Sequence, residues 1–223
     1  MLLVLAATEF EMMSFKSTRL KSDDQVMMAI CGVGPVESAV CVMQLLGDHA
    51  AKITHVVNFG IGGAYLAESV ETGIGLLDIC LAESEVLGDY GVCYGNQMEP
   101  FADRELTGKM HFTLDKDLFN DARQELIGNK LDFYTGPFVT VNGASGTAER
   151  GRFIKNKFNG ICENMEGAAI ARCCELFSLP MLEVRVVSNM VEDRPGEPWR
   201  LKEACSRSGY ITSLIVDRLK NRL

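Results

Sequence analysis

The chain has 223 residues, 47% hydrophobic and 23% charged, enough to bury one large core and ordinary for a globular protein. Its net charge of −8 excludes nucleic acid or an anionic membrane surface as the main partner. No apolar run reaches the length of a membrane span, and the opening MLLVLAATEFE lacks a signal peptide's basic segment and cleavage site, so a cytoplasmic protein is expected.

In chain order, LLVLAA (2–7) predicts a strand followed by a helical TEFEMMSF, and VMMAICGVG (26–34) a strand followed by a helical PVESAVCVMQLL. ITHVVNFG (53–60) predicts a strand ending in a glycine cluster, and IGLLDICLAES (74–84) another, before a long loop through GDYGVCYGNQMEP (88–100). DKDLFNDARQEL (115–126) reads as a helix leading to the strand FYTGPFVTVNG (133–143). After GICENMEGAAIARCCELF come the strand MLEVRVVSN (181–189), a loop rich in Glu, Asp and Pro, and a last helix from about 199. This alternation, without repeat or linker, predicts a single-domain three-layer α/β/α sandwich over 1–223 with a central mixed sheet. In such sheets ligands bind where strands end in loops.

The eight cysteines show no CxxC pair, and His49, His55 and His111 are scattered without ligand spacing. Reduced buried thiols, no metal and no cofactor are expected.

Four strand ends carry polar or small residues: Thr8-Glu9-Phe10-Glu11, NFGIGGAY, VNGASGT, and Ser188-Asn189 with the loop MVEDRPGEP. In NFGIGGAY, Gly60, Gly62 and Gly63 let backbone amides approach a ligand, although the spacing is neither GxGxxG nor a P-loop. The stretch ENMEGAAI (163–170) reads as a helix start, with Asn164 as N-cap and Glu163 and Glu166 in the first turn. Each feature has an ordinary structural explanation. Together they place carboxylates, a glycine-walled cleft and an amide on one sheet, as a small polar ligand needs.

GIGG at 60–63, NMEGAA at 164–169 and VRVVSN at 184–189 resemble, in order and spacing, the nucleoside phosphorylase and nucleosidase superfamily. ATEFEMM resembles its nucleosidase branch, which includes methylthioadenosine/S-adenosylhomocysteine nucleosidases. Within that branch NFGIGGAY, ENMEGAA and Asn189 are most similar to the futalosine hydrolases of menaquinone biosynthesis.

The resemblance implies a nucleoside phosphorylase-like fold and a small-molecule purine nucleoside, futalosine, as substrate. It gives Glu166 the ribose hydroxyls, Met165 the underside of the sugar, and Glu11 the activation of water, with Glu9 as fallback if the register slips by two. Glu163 is expected to be solvent-facing or structural. Ile61, Gly62 and Gly63 would line the substrate site, and Phe138, Val141 and Asn142 the base pocket. Arg185, Arg194, Arg200 or a group of the partner subunit would meet the benzoate carboxylate; the loop 190–198, with Pro195, Gly196 and Pro198, reads as a lid or as an ordinary surface connection, and Asp193 is a candidate proton relay. A homodimer is implied as well.

Phosphorylases of the superfamily place an Arg and a Ser where this chain has Asn58 and Ile61, which offer no charged pair for a dianion. Water is therefore the expected nucleophile. Adenine nucleosidases carry Asp at the position of Asn189. A carboxamide can instead pair with N7 and O6 of a 6-oxopurine, while leaving the source of the N7 proton open. The other readings are an adenine nucleosidase acting on methylthioadenosine, S-adenosylhomocysteine or aminodeoxyfutalosine, a purine nucleoside phosphorylase, and a non-catalytic nucleoside-binding protein.

Overall fold

The structure, a computed structural model, describes residues 1–19, 23–66, 73–95, 97–196 and 198–221, apart from the side chains of residues 104 and 107. In chain order the elements begin with β1 (Leu2–Ala6), α1 (Glu9–Ser17), β2 (Val26–Ile30), α2 (Pro35–His49) and β3 (His55–Tyr65). They continue through β4 (Ile79–Leu87), β5 (Val92–Tyr94), β6 (Gln97–Glu99), α3 (Arg104–Thr107), β7 (His111–Thr113) and α4 (Lys116–Gly128). The remainder is β8 (Phe133–Thr140), α5 (Ala148–Phe158), β9 (Cys162–Asn164), α6 (Gly167–Leu176), β10 (Met181–Val191) and α7 (Leu201–Lys220).

The three layers follow from alternation along the strands. Leu2, Val4 and Ala6 face Met12, Phe15, Leu118 and Ile211, so α1, α4 and α7 cover one side. Leu3 and Leu5 face Val42, Leu46, Ile170 and Cys173, so α2 and α6 cover the other. The sheet is mixed, as expected. β1, β2, β3 and β10 run parallel where they pair, and β4 runs antiparallel to β10.

It is not a simple open sheet, however. β3 pairs with β1, with β10 and, at its far end, with β9. β9 pairs with β8, β8 with β4, and β4 with β10, so five strands close into a ring around one end of β3. That closure brings residues from distant segments over a single stretch of strand.

Several elements differ from the expectation. The glycine cluster does not end β3, which runs through it to Tyr65. The expected loop at 88–100 contains a two-stranded hairpin of β5 and β6, whose only buried side chain is Met98. α5 escapes sequence reading because it buries only Gly151 and Ile154 and so presents no apolar stripe. β9 is only three residues long, too short to display a period. Among the described residues no helix is long and apolar enough to cross a membrane.

Candidate active site

A cavity of about 230 Å³ opens where β3 and β10 meet the starts of α1 and α6. Among its lining residues are Glu11, Ile61, Gly62, Gly63, Met165, Glu166 and Asn189. A wider depression of about 820 Å³ lies against β7, α4 and α6. Its Lys109 is paired with Glu175 and its Asp115 caps α4.

Glu11 reaches the cavity through local helix chemistry. Thr8 is the N-cap of α1 and Glu11 closes a capping box with it: Glu11 Oε2 accepts from the Thr8 amide at 2.9 Å and from the Thr8 hydroxyl at 2.7 Å. Its other oxygen accepts from the Ile61 amide at 3.0 Å. The carboxylate is 3% exposed, while Glu9 points to solvent. Gly60 is glycine because a Cβ there would run into Glu11 Oε1 and stand 2.9 Å from Arg185 Nη1.

Arg185, in the middle of β10 and 2% exposed, binds Glu183 through Nε at 2.9 Å and Glu166 through Nη2 at 3.2 Å. Its Nη1 donates to the Ile61 carbonyl at 3.2 Å. Burial alone would push this guanidinium's pKa down, but the carboxylates of Glu183, Glu166 and Glu11 push it up further, so it stays charged. The second Glu166 oxygen accepts from the Gly34 amide at 3.1 Å, at the start of α2. Sequence reading offered Arg185 to a distant substrate carboxylate. The fold commits it to the protein's own acids.

Behind Glu166 lies a buried polar cluster that the sequence did not reveal. Asn164 accepts through Oδ1 from the amides of Glu166 and Gly167, at 2.9 and 2.8 Å, from the end of β9; the N-cap of α6 is Glu166 rather than Asn164, so Glu166 precedes the first turn. Asn164 Nδ2 donates to Glu85 at 2.5 Å, Thr140 donates to Glu85 at 2.7 Å, and the Ala168 amide donates to Thr140 at 2.8 Å. Burial, with the Glu183 carboxylate beside it, raises the Glu85 pKa well above the usual range, against the pull of Thr140 and Asn164. Burial raises the Glu183 carboxyl as well, and there the Arg185 guanidinium offsets part of the rise. Gly167 must be glycine, since its Cβ would collide with both carboxyls.

Glu163 is neither in the helix nor in solvent. It belongs to β9, is 5% exposed and lines the cavity. The Ser145 amide and hydroxyl donate to it at 2.8 and 2.5 Å. Asn189 sits opposite Gly63 in the β3–β10 register, accepting from Ser188 at 2.9 Å and donating to the Met190 carbonyl at 3.3 Å.

Three expected base-pocket residues fall outside the lining. Phe138 and Val141 are wholly buried in the hydrophobic cores, and Asn142 is exposed and bound to Asp89. Ala144, on the same loop, lines the cavity instead, with Trp199 and Val33. Asp193 accepts from the Ala148 amide at 2.9 Å, Arg194 stacks on Trp199, and Arg200 pairs with Glu203, so none of the three reaches the cavity lining. Of the expected lid, Met190 and Val191 are strand, and Glu197 lies outside the described residues.

The family model of the phosphorylase superfamily matches residues 7–218. The chain belongs to that superfamily. This superfamily member is 25% identical over 199 residues to a 5′-methylthioadenosine/S-adenosylhomocysteine nucleosidase of Staphylococcus saprophyticus, covering 88% of this chain and 82% of the relative. It is 29% identical over 180 residues to a futalosine hydrolase of Thermus thermophilus, covering 78% and 74%. In fold it is similar to the futalosine hydrolase of Helicobacter pylori, with a TM-score of 0.81 at 16% identity over 97% of both chains. The 5′-methylthioadenosine/S-adenosylhomocysteine nucleosidase of Helicobacter pylori is equally similar, with a TM-score of 0.81, 16% identity and 97% coverage of both chains.

Proposed function

We propose that this protein is a purine nucleosidase that hydrolyses the N-glycosidic bond, with futalosine as its substrate. The observation that carries this reading is the meeting of Glu11 and Glu166 in one cavity, both fixed by the same buried guanidinium or the strand it grips. Departure of the base leaves positive charge on the ribose. A carboxylate fixed at the ribose hydroxyls stabilises that charge more than it stabilises neutral substrate. Glu166 takes that part, with Met165 packed beneath the sugar. Glu11, held by three donors, orients water at the anomeric carbon and takes its proton.

Water rather than phosphate is supported by the charge of the cavity. Among the described lining residues Arg185 is the one cation, it is already bound by Glu183 and Glu166, and Glu11 and Glu166 bring two carboxylates to the same cavity. A phosphate dianion would enter against that field. The Asn189 carboxamide favours a 6-oxopurine, because its N–H donates to a carbonyl that a carboxylate would repel. Relatives named for 5′-methylthioadenosine support an adenine nucleoside as the second reading.

The 223 residues act as one nucleosidase domain, in the cytoplasm, as a homodimer. Val36, Val40 and Met43 form one exposed apolar face of α2, Val33 is exposed in the cavity lining, and Phe10 is exposed on α1 next to Glu11. Sedimentation of the purified protein tests this, and a monomer at micromolar concentration removes the dimer. The activity is tested by chromatography of the base released from futalosine, inosine and methylthioadenosine, with and without phosphate. Hypoxanthine from futalosine, indifferent to phosphate, is expected. Adenine release would move the substrate, and phosphate dependence would overturn the nucleophile.

A further inference from the structure

Gly63 is in register with Asn189 on β10 on one side and with Glu163 on β9 on the other. Cross-strand partners project their side chains to the same face. A Cβ on Gly63 would stand 3.1 Å from Asn189 Nδ2, so the carboxamide leans over a position that has no side chain of its own. Glu163 and Asn189 thus flank one gap in the cavity floor, and both line the cavity.

The surroundings of Glu163 suit an acid. The groups facing it are Ser145 from the loop before α5, the Tyr65 hydroxyl at 3.5 Å from β3, and Arg150 of α5 at longer range. Arg150 makes its own ion pair with Asp89 at 3.1 Å, and no described Lys or Arg lies within ion-pair distance of Glu163. Burial pushes the Glu163 carboxyl up, and the Ser145, Arg150 and Tyr65 contacts offset only part of that. Asn189 has no proton to give, yet a purine leaving from N9 as an anion is a poor leaving group.

We propose that Glu163, in its acid form, is the catalytic residue that protonates N7 of the departing base, while the Asn189 amide donates to O6. The assignment rests on the nucleosidase reading. In the step, the C1′–N9 bond breaks and its electron pair passes to the base. The Glu163 proton moves to N7, so the base leaves neutral. Water adds to C1′ and its proton passes to Glu11. One carboxyl has lost a proton and the other has gained one, and exchange with solvent resets both.

The test uses whichever of futalosine, inosine or methylthioadenosine the wild-type enzyme cleaves fastest, together with its N7-methyl derivative. The base of that derivative is already cationic and leaves neutral without a proton. Glu163→Gln is expected to lose about 100-fold in turnover of the parent nucleoside and to change turnover of the N7-methyl form by no more than a few fold. Equal loss on both substrates, or loss on neither, overturns the assignment. Wild type alone gives a second measurement: the parent-to-methyl rate ratio is expected to fall as pH rises and Glu163 ionises, and a flat ratio overturns the assignment. If wild type releases no base from any of the three nucleosides, the nucleosidase reading falls first and the role of Glu163 with it.

Discussion

Arg185 holds Glu166 at 3.2 Å from inside the sheet, with both side chains almost wholly removed from water. The same guanidinium grips Glu183 at 2.8 Å and the Ile61 carbonyl, whose own amide fixes Glu11. One cation therefore sets the position of both proposed catalytic carboxylates. Arg185→Met would leave these acids buried without their countercharge, a change that costs about 3–5 kcal/mol. Arg185→Lys keeps the charge but loses the fork. Its turnover is expected to fall about ten- to a hundredfold, the equivalent of one or two charge-assisted hydrogen bonds. Urea unfolding and base-release assays on the two variants measure these effects separately.

Glu11 and Glu9 separate cleanly by burial. Glu11→Gln is expected to lower turnover by about 10²–10⁴-fold, the usual range for a general base, with little change in KM. Glu9→Gln, on the exposed side of the same helix, should leave both unchanged. Steady-state kinetics of the pair are the check.

Gly60 and Gly47 make a matched contrast. A methyl on Gly60 would press on Glu11 and Arg185 together, and displacing a catalytic group by about 1 Å can cost about 100-fold in rate. Gly47 lies within α2 with open space around it, so Gly47→Ala should stabilise the protein by about 0.5–1 kcal/mol without touching activity. Thermal melts should rise for Gly47→Ala, and turnover should fall for Gly60→Ala alone.

Glu85 couples stability to pH. Its folded pKa is raised, so its contribution is fully present below the ordinary carboxyl value of 4.5 and is lost as pH rises toward the folded value. Glu85→Gln cannot ionise. The variant should cost about 1–2 kcal/mol at acid pH, for the hydrogen bond from Asn164 that an amide nitrogen cannot accept. Its deficit against wild type should shrink as pH rises above 4.5. Denaturant melts of both proteins across pH 5 to about 9 test the sign, and a deficit that grows with pH would contradict it.

How much of this was legible in the sequence differs from residue to residue. Glu11, Met165, Glu166 and Asn189 stand beside strand ends, where pattern and position coincide, and the fold gathers all four into one cavity. The layered fold was legible for the same reason: its strands and most of its helices carry clear apolar periods. Arg185 was visible but misassigned: Glu183 lies two residues before it on the same strand, but Glu166 meets it only through packing of β10 against the start of α6. Glu163 was misread because three residues of strand show no period, and the two glutamates looked like one helical turn. The glycines of β3 read as a turn, whereas they are strand positions emptied to admit neighbouring side chains. Phe138 and Val141 had nothing in their sequence to distinguish a core position from a pocket wall, and Ala144 gives no chemical signal.

The shared use of β3 has a consequence for synthesis on the ribosome. β1, β2 and one edge of β3 can pair once the first third of the chain has emerged. The other edge waits for β10, with contacts such as that between Arg185 and Ile61 across 124 residues of chain, and the far end of the first edge waits for β9. Until then HVVNFGIGGAY is a long, apolar strand with an open hydrogen-bonding edge, the kind of segment that recruits a second chain. The strand that floors the cavity is thus the part of the nascent protein most in need of shielding, and yield in the cell should depend on chaperone supply more than on the stability of the finished fold.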